Sequence, residues 1–560
     1  MHYDELFKYL GRYNRYLWMS FLLLALSVMS EALHSMIQVF LLVETDHWCS
    51  LPGWEEACRE EGLNTTECEN MMSALRPADD SDSLLIDESK CSQYNYTGFT
   101  LGSNISELEN TRHSCENGWV FDDSQYKTTV TQEFELVCES ARLVSVAMST
   151  AFFGVMISAP FLGNLSDRYG RKKLIVACYS CYILLDFVAA FSPSYWTYVT
   201  LRFLASLTHA GVFMPAYIYA SEVVGPTERS LATSIAGSFW ALGYSITALY
   251  AYFIRYWRAL LMSICAADVV ILAAIILLVP ESPRWLHSIG RFDESENINR
   301  KASKYAKEEI PDEVYKMLRE ERGEEEDVHT KENKASVKDL FRKKVIFFRT
   351  FVITSLGFVV NLVYYGVSLG AIALSSDDYI TVALSAAVEI PACLFSRYFI
   401  DRWGRRPVMG FFLSMSGIAC IAIAFTSNWL VFTFGLIGKF SISSCYNIHF
   451  IFSAEILPTP IRNVGIGVST MIGSLGSVLA PQLMFIGTGF TQLPYFIFAG
   501  VSGIGALLIV TLPETKGTHL PQTIHEGETL GVIIKTQDVS KTDAVTSECH
   551  DAPFDVLEMT

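Results

Sequence analysis

The chain has no Walker-type glycine loop, no dinucleotide fingerprint and no nucleophile elbow in its 560 residues, so nothing in it points to an ATP-driven pump or an enzyme, or to a cofactor. Energy for any vectorial work would have to come from solute gradients or from the membrane potential, which is worth about 2.3 kcal/mol per charge per 100 mV. A short apolar stretch with a small-residue cleavage site is also missing. The chain opens instead on a polar, amphipathic run from Tyr3 to Arg15, and the first apolar segment is expected to remain as a helix. Cys178-Tyr179-Ser180-Cys181 has zinc-like spacing but no second pair, which leaves it as packing inside a span, with no metal site expected.

Apolar residues, by contrast, are in excess. They make up 51% of the chain, and the mean hydropathy is +0.29, more apolar surface than a soluble protein of this size normally buries. The net charge of −17 is peripheral: 21 Asp/Glu face 6 Lys/Arg between Glu44 and Arg142, and 9 face 3 after Pro513. The remaining body is slightly basic, and the acidity implies neither a basic partner nor nucleic acid. Six of the 13 cysteines, Cys49, Cys58, Cys68, Cys91, Cys115 and Cys138, share the first acidic segment with the sequons at Asn64, Asn95 and Asn104. An even cysteine count beside glycosylation acceptors predicts an extracellular loop stapled by three disulfides, with fifteen connectivities open.

Runs long enough to cross a bilayer, about 20 apolar residues each, occur at Trp18–Val43, Leu143–Leu162, Leu174–Phe191, Tyr195–Ala220, Leu231–Ile254 and Ala259–Val279. Six more follow a charged stretch: Val345–Ile372, Ile380–Ile400, Val408–Phe425, Trp429–Ser453, Val464–Ile486 and Pro494–Leu512. Arg168, Arg171, Lys172 and Lys173 after the second span, and Arg402, Arg405 and Arg406 after the eighth, mark the cytoplasmic side. Both termini are then cytoplasmic. A long-period repeat organises the chain. Asp167-Arg168-Tyr169-Gly170-Arg171-Lys172 recurs 234 residues later as Asp401-Arg402-Trp403-Gly404-Arg405-Arg406. Glu222 with Arg229, and Pro280-Glu281-Ser282, recur 233 residues later as Glu455 with Arg462 and as Pro513-Glu514-Thr515. A constant offset means two homologous six-helix halves, with a substrate site near the midplane between them.

The Gly163–Lys172 segment resembles the signature loop of the major facilitator superfamily. Pro280–Leu286, the six-cysteine loop, Ala454–Asn463 and Leu512–Gly517 make the chain similar to the organic cation, organic anion and carnitine transporters, solute carrier family twenty-two, from about Tyr3 to Leu530. That resemblance implies gate groups at the cytoplasmic helix ends: Asp167, Arg171, Glu222, Arg229, Asp401, Arg405, Glu455 and Arg462, whose ion pairs would hold the two halves together in one state. Charge inside a span costs at least about 2.5 kcal/mol and signals function, which singles out Glu389, Glu31 and Lys439. The family's cation carriers have an acid where Glu389 stands. Glu31 falls where carnitine carriers have an asparagine. Lys439 could neutralise Glu389 or hold a substrate carboxylate. Phe213, Tyr217 and Ser221 share one helix face, and Tyr364, Tyr365 and Tyr446 fall where the family lines its cavity, with ring faces that attract ammonium groups. His34, His209 and His449 could relay protons. At Ser474 the family's cation carriers have an aspartate and its anion and carnitine carriers an arginine; at Cys393 anion carriers have a lysine. Both anion-binding bases are missing here.

The expected fold is all-α: twelve transmembrane helices in two six-helix halves, with one large extracellular loop after the first. The boundaries are a cytoplasmic N-terminus 1–17, helix one 18–43, the loop 44–142, helices two to six 143–280, a cytoplasmic centre 281–344, helices seven to twelve 345–512 and an acidic cytoplasmic tail 513–560. The expected function is transport of small organic cations or zwitterions across the plasma membrane by alternating access, with a possible coupling ion. An organic anion exchanger and a non-transporting membrane receptor are the alternatives.

Overall fold

A computed structural model describes residues 3–11, 13–50, 88–94, 112–225, 228–306, 310–319, 343–370, 377–427, 429–487, 490–518, 521 and 524–529. Asn64, Asn95, Asn104, Cys58 and Cys68 lie outside the described residues.

Among the described residues twelve long helices, one of them broken in two, form the body. The first half comprises α1 (Arg15–Met36), α2 (Arg142–Tyr169), α3 (Arg171–Ala189), α4 (Tyr195–Glu222), α5 (Arg229–Phe253) and α6 (Trp257–Leu278). The second comprises α7 (Lys344–Leu369), α8 (Asp378–Ala387, resuming as Glu389–Trp403), α9 (Arg405–Phe425), α10 (Trp429–Ile456), α11 (Thr459–Ile486) and α12 (Leu493–Leu508). Ten of these are apolar and long enough to cross a membrane by length and composition alone. The other two are α3, which begins with three bases and carries Asp186, and α5. Large apolar side chains such as Phe161, Leu277 and Phe425 are exposed on the helices, an arrangement that lipid stabilises and water does not.

The halves meet where α2 packs on α11 and α5 on α8. Hydrogen bonds join them at the end of the bundle that carries the acidic loop. Ser149 donates to the Val478 carbonyl at 2.7 Å and Gln482 donates to the Ser149 hydroxyl at 3.0 Å. The described part of the loop caps this end. Strands β1 (His47–Cys49) and β4 (Trp119–Phe121) pair antiparallel, as do β2 (Ser92–Tyr94) and β3 (Arg112–Ser114). Disulfides join Cys49 to Cys115 and Cys91 to Cys138. The cap holds both halves: Glu133 pairs with Arg258 and accepts from the Trp257 indole at 2.7 Å, while the Tyr126 hydroxyl donates to Asp378 at 2.8 Å.

The break in α8 has a local cause. Proline has no N–H to give and its ring crowds the carbonyl four residues back; Pro391 does this to Ala387, where the first segment ends. The second segment then begins on Glu389, so the proline sets where this carboxylate enters the bundle.

Candidate functional site

A cavity lies between the halves, lined by residues of α2, α4, α5, α7, α8, α10 and α11. Its walls carry eight aromatic rings: Phe152, Phe213, Tyr217, Trp240, Tyr364, Tyr365, Tyr446 and Phe450. The rings pack in two groups, with Phe213 and Tyr217 centroids 4.7 Å apart and Phe213 and Trp240 5.4 Å in one, and Tyr364 and Tyr446 5.1 Å and Phe152 and Tyr365 4.6 Å, across the two halves, in the other. Among the lining residues there is one carboxylate, Glu389, and no lysine or arginine; His209 and His449 are the other ionisable groups apart from tyrosines and Cys393.

Glu389 is not a vacant anion. Lys439 Nζ lies 2.7 Å from Oε1, and the Tyr364 hydroxyl donates to the same carboxylate at 2.9 and 3.1 Å. Lys439 is fully buried behind the cavity wall, donating to the Ser368 hydroxyl at 2.5 Å and resting 3.6 Å from the centre of the Tyr364 ring. Trp240 donates its indole N–H to the Tyr364 hydroxyl at 3.1 Å, which ties α5 of one half to α7 and α8 of the other.

Of the residues the sequence nominated as substrate contacts, the structure brings Glu389, Phe213, Tyr217, Tyr364, Tyr365, Tyr446 and Ser474 onto one cavity wall. Three others stand elsewhere. Glu31 is fully buried, with His209 between it and the cavity, His209 Nε2 being 3.1 Å from its Oε2. Ser221 donates to the Ile218 carbonyl inside its own helix, below the lining residues of α4. Lys439 is consumed by Glu389. Trp240, Phe152, Asn447 and Phe450 were not nominated. Asn447 and Phe450 continue the Lys439–Ser443–Tyr446 face of α10 at helical spacing, a signal the sequence carried; Trp240 had none, being one ring in an apolar run.

The nominated gate residues form two matching clusters at the opposite end from the cap, and each cluster is internal to one half. Arg171 gives Nε and Nη2 to Glu222 Oε1 at 3.1 and 2.9 Å and meets Asp167 at 2.8 Å; α2, α3 and α4 all belong to the first half. Arg405 binds both oxygens of Glu455 at 3.0 and 2.9 Å, joining α9 to α10. In this structure the Arg171 and Arg405 pairs lie within the halves, because each arginine sits at the first position of its helix, beside the end of the neighbouring helix in the same half; pairs between the halves are expected for one state of a transport cycle. Asp401 is exposed and takes no part in the Arg405–Glu455 pair. Arg229 and Arg462 give their Nε to the carbonyls of Ser221 and Leu457, at 3.2 and 3.1 Å.

The third repeat completes these clusters, in a role the sequence did not reveal. Glu281 accepts from the backbone N–H of Lys172 at 2.9 Å, and Glu514 from those of Arg405 and Arg406 at 2.9 and 3.0 Å. Each carboxylate thus caps the N-terminus of α3 or α9, where the helix dipole favours an anion. The approach is possible because Gly170 and Gly404 precede those helices at φ +108° and +95°; a Cβ there would lie 2.5 and 2.7 Å from the carboxylate.

Two six-helix halves around one ring-lined cavity, with matched helix-end clusters, define a membrane transporter of the major facilitator type. Residues 90–524 match the family described as sugar (and other) transporter, and the chain belongs to that family, within its organic cation and carnitine transporter branch (solute carrier family 22). It is 33% identical over 539 residues to the organic cation transporter protein of Drosophila melanogaster, covering 95% of each chain. It is 29% identical to human organic cation/carnitine transporter 2, covering 94% of this chain and 93% of that one. Among solved structures it is similar to the proton:xylose symporter XylE, with a TM-score of 0.60 at 14% identity over 91% of this chain and 98% of that one, a likeness of fold alone.

Proposed function

We propose that this transporter carries small organic cations, or zwitterions with an ammonium head, through the cavity by alternating access. The observation that carries the reading is the composition of the cavity wall: one carboxylate, eight aromatic rings and no lysine or arginine. Ring faces attract an ammonium group by about 0.5–2 kcal/mol each, most when water is excluded, and an anion meets no lysine or arginine among the lining residues. Lys439 already occupies the Glu389 carboxylate as a built-in ammonium in a tyrosine-walled niche, so a substrate cation competes with it or polarises the pair. A zwitterion fits such a pair better than a dianion, which agrees with the cation and carnitine names of the relatives.

Hydrogen bonds between the halves lie at the capped end, and in our reading the cavity opens to the clustered end, which is the cytoplasmic side. The Arg171 and Arg405 clusters then brace each half as a rigid body while the halves rock against each other. The capped loop lies outside the cell, the termini inside, and the site is the plasma membrane.

Saturable uptake of radiolabelled tetraethylammonium, carnitine, choline and para-aminohippurate in cells expressing the chain tests the substrate class. Uptake of an ammonium compound, inhibited by the others and not by para-aminohippurate, is expected. Uptake of para-aminohippurate alone would overturn the cation reading, and no uptake of any at normal surface abundance would favour a receptor.

A further inference from the structure

Behind the first-half wall of the cavity lies a second cluster of charges that the substrate reading does not use. His34 on α1 sits between two carboxylates, Nδ1 2.6 Å from Asp186 on α3 and Nε2 2.5 Å from Asp268 on α6. Two carboxylates at ion-pair distance stabilise the imidazolium form of this ring, with Nε2 hydrogen-bonded to Asp268 and Nδ1 close to Asp186 without the angle of a hydrogen bond. Arg202 on α4 gives Nη1 to Asp186 at 2.6 Å and Nη2 to the His34 carbonyl at 2.9 Å. Ser30 and Tyr179 give their hydroxyls to Asp268 at 2.6 and 3.0 Å. Two cations therefore balance two anions.

Glu31 is left over. It is 0% exposed, one helical turn from His34, and neither of its oxygens accepts a hydrogen bond. His209 Nε2, 3.1 Å from Oε2, is the group between it and the cavity, which His209 lines. The other titratable groups facing this cluster are Cys178 and Tyr182 on α3, Tyr198 on α4 and Cys265 on α6, all ordinarily uncharged at neutral pH. The packing helix α5 carries no charged residue after Arg229. Across the cavity stand Glu389, already paired, and His449. A buried carboxylate without a partner cannot stay ionised cheaply, and one proton, shared between Glu31 and His209, neutralises the whole cluster.

We infer that Glu31 and His209 form a proton-binding site coupled to the substrate cavity, so that the chain exchanges a proton for an organic cation. The proton enters from cavity water through His209 and returns to cavity water when the cavity faces the other side. Coupling follows a contact path across one indole: the His209 and Trp240 ring centroids are 6.3 Å apart, and Trp240 bonds Tyr364, which bonds Glu389. A proton at one end of this path and an ammonium group at the other are like charges facing one cavity from its two sides, and each disfavours the other. The pair offers one carboxylate and one imidazole, which can share a proton, whereas hard metal cations favour sets of oxygen ligands.

This inference rests on the cation reading above, and the test separates the two. In the full chain reconstituted in nanodiscs, infrared difference spectra across a pH step should contain a carboxylic-acid C=O band that is lost in Glu31→Gln and shifted in Glu31→Asp; a spectrum unchanged by Glu31→Gln overturns the proton site whatever the substrate. In proteoliposomes preloaded at acid pH, tetraethylammonium uptake should overshoot its uptake at equal pH, with a ceiling of about tenfold accumulation per pH unit for one-for-one exchange. Sodium gradients should have no effect. Glu31→Gln should abolish the overshoot but keep tetraethylammonium counterflow at equal pH, and Glu31→Asp should restore part of it. An overshoot that survives Glu31→Gln overturns the inference, and so does a sodium-driven one. Absence of counterflow in the wild type with the infrared band intact overturns the cation reading instead.

Discussion

At the scale of single residues the decisive fact is that Glu389 has a partner inside the protein. Removing one member of a buried ion pair leaves an uncompensated charge, at about 3–5 kcal/mol. Lys439→Gln and Glu389→Gln should each lower the melting temperature and surface abundance, and the double variant should be less damaged than the sum of the two; full additivity in thermal unfolding would mean that the 2.7 Å contact contributes nothing. Of the two single variants, Glu389→Gln should also lower apparent cation affinity, because it removes the only carboxylate on the cavity wall. Ser474 lines the same wall and is 9% exposed. Placing a guanidinium there, in Ser474→Arg, sets a base opposite the substrate's ammonium at a depth where a charge costs about 2.5–3.5 kcal/mol. Cation uptake should fall at least tenfold at matched surface abundance, while Ser474→Ala should transport normally.

At the scale of elements, the glycine before α3 and α9 and the glutamate that reaches each helix start from beyond the end of α6 or α12 explain why these motifs recur in both halves. Gly404 holds a backbone conformation that disfavours other residues by about 1–3 kcal/mol, and a Cβ there would collide with Glu514. Gly404→Ala should therefore destabilise the chain more than Glu514→Gln, which keeps an acceptor but gives up the anion at the helix N-terminus, worth about 0.3–1 kcal/mol. Melting curves of the two variants in detergent check the order. The same logic separates Asp167 from Glu222. Arg171 is buried and gives two hydrogen bonds to Glu222, whereas Asp167 is half exposed, so Glu222→Gln should slow transport more than Asp167→Asn. Equal turnover losses would return Asp167 to the central role that the sequence suggested for it.

At the scale of the whole molecule, the cap joins the halves at one end and sets how they can move. Its Cys49–Cys115 bridge closes a separation of 66 residues, a constraint worth about 4 kcal/mol in the chain-entropy account. Reduction, or Cys49→Ser with Cys115→Ser, should expose the cap to protease before the helices unfold. The cap also senses acid. Burial pushes Glu133 upward, but hydrogen bonds from Arg258 and Trp257 outweigh it and hold the carboxyl below its ordinary range; Lys90 does the same to Asp46. A depressed carboxylate contributes stability that is complete above its unfolded pKa and is lost as the pH falls through the folded one. Protease sensitivity of the cap should thus be flat through neutrality and rise only below the ordinary carboxylate range, and Glu133→Gln should flatten that rise.

The sequence by itself determined the number of spans, the two-half repeat and the capped loop. Each rests on a constraint that acts along the chain: a bilayer requires a full apolar turn count in every crossing segment, and duplication leaves a constant offset. The α8 break has an equally local cause in Pro391, but in the sequence Ile380–Ile400 reads as one run. What only the tertiary structure decided is which charge meets which. Glu389 takes Lys439 from a different helix, His34 takes acids from two, Glu31 stands behind His209 and not in the cavity, and Arg171 and Arg405 stay within their own halves. An intramembrane charge announces itself in sequence by its cost, but its partner is chosen by distance in three dimensions, where residues far apart in the chain become nearest neighbours across packed helices.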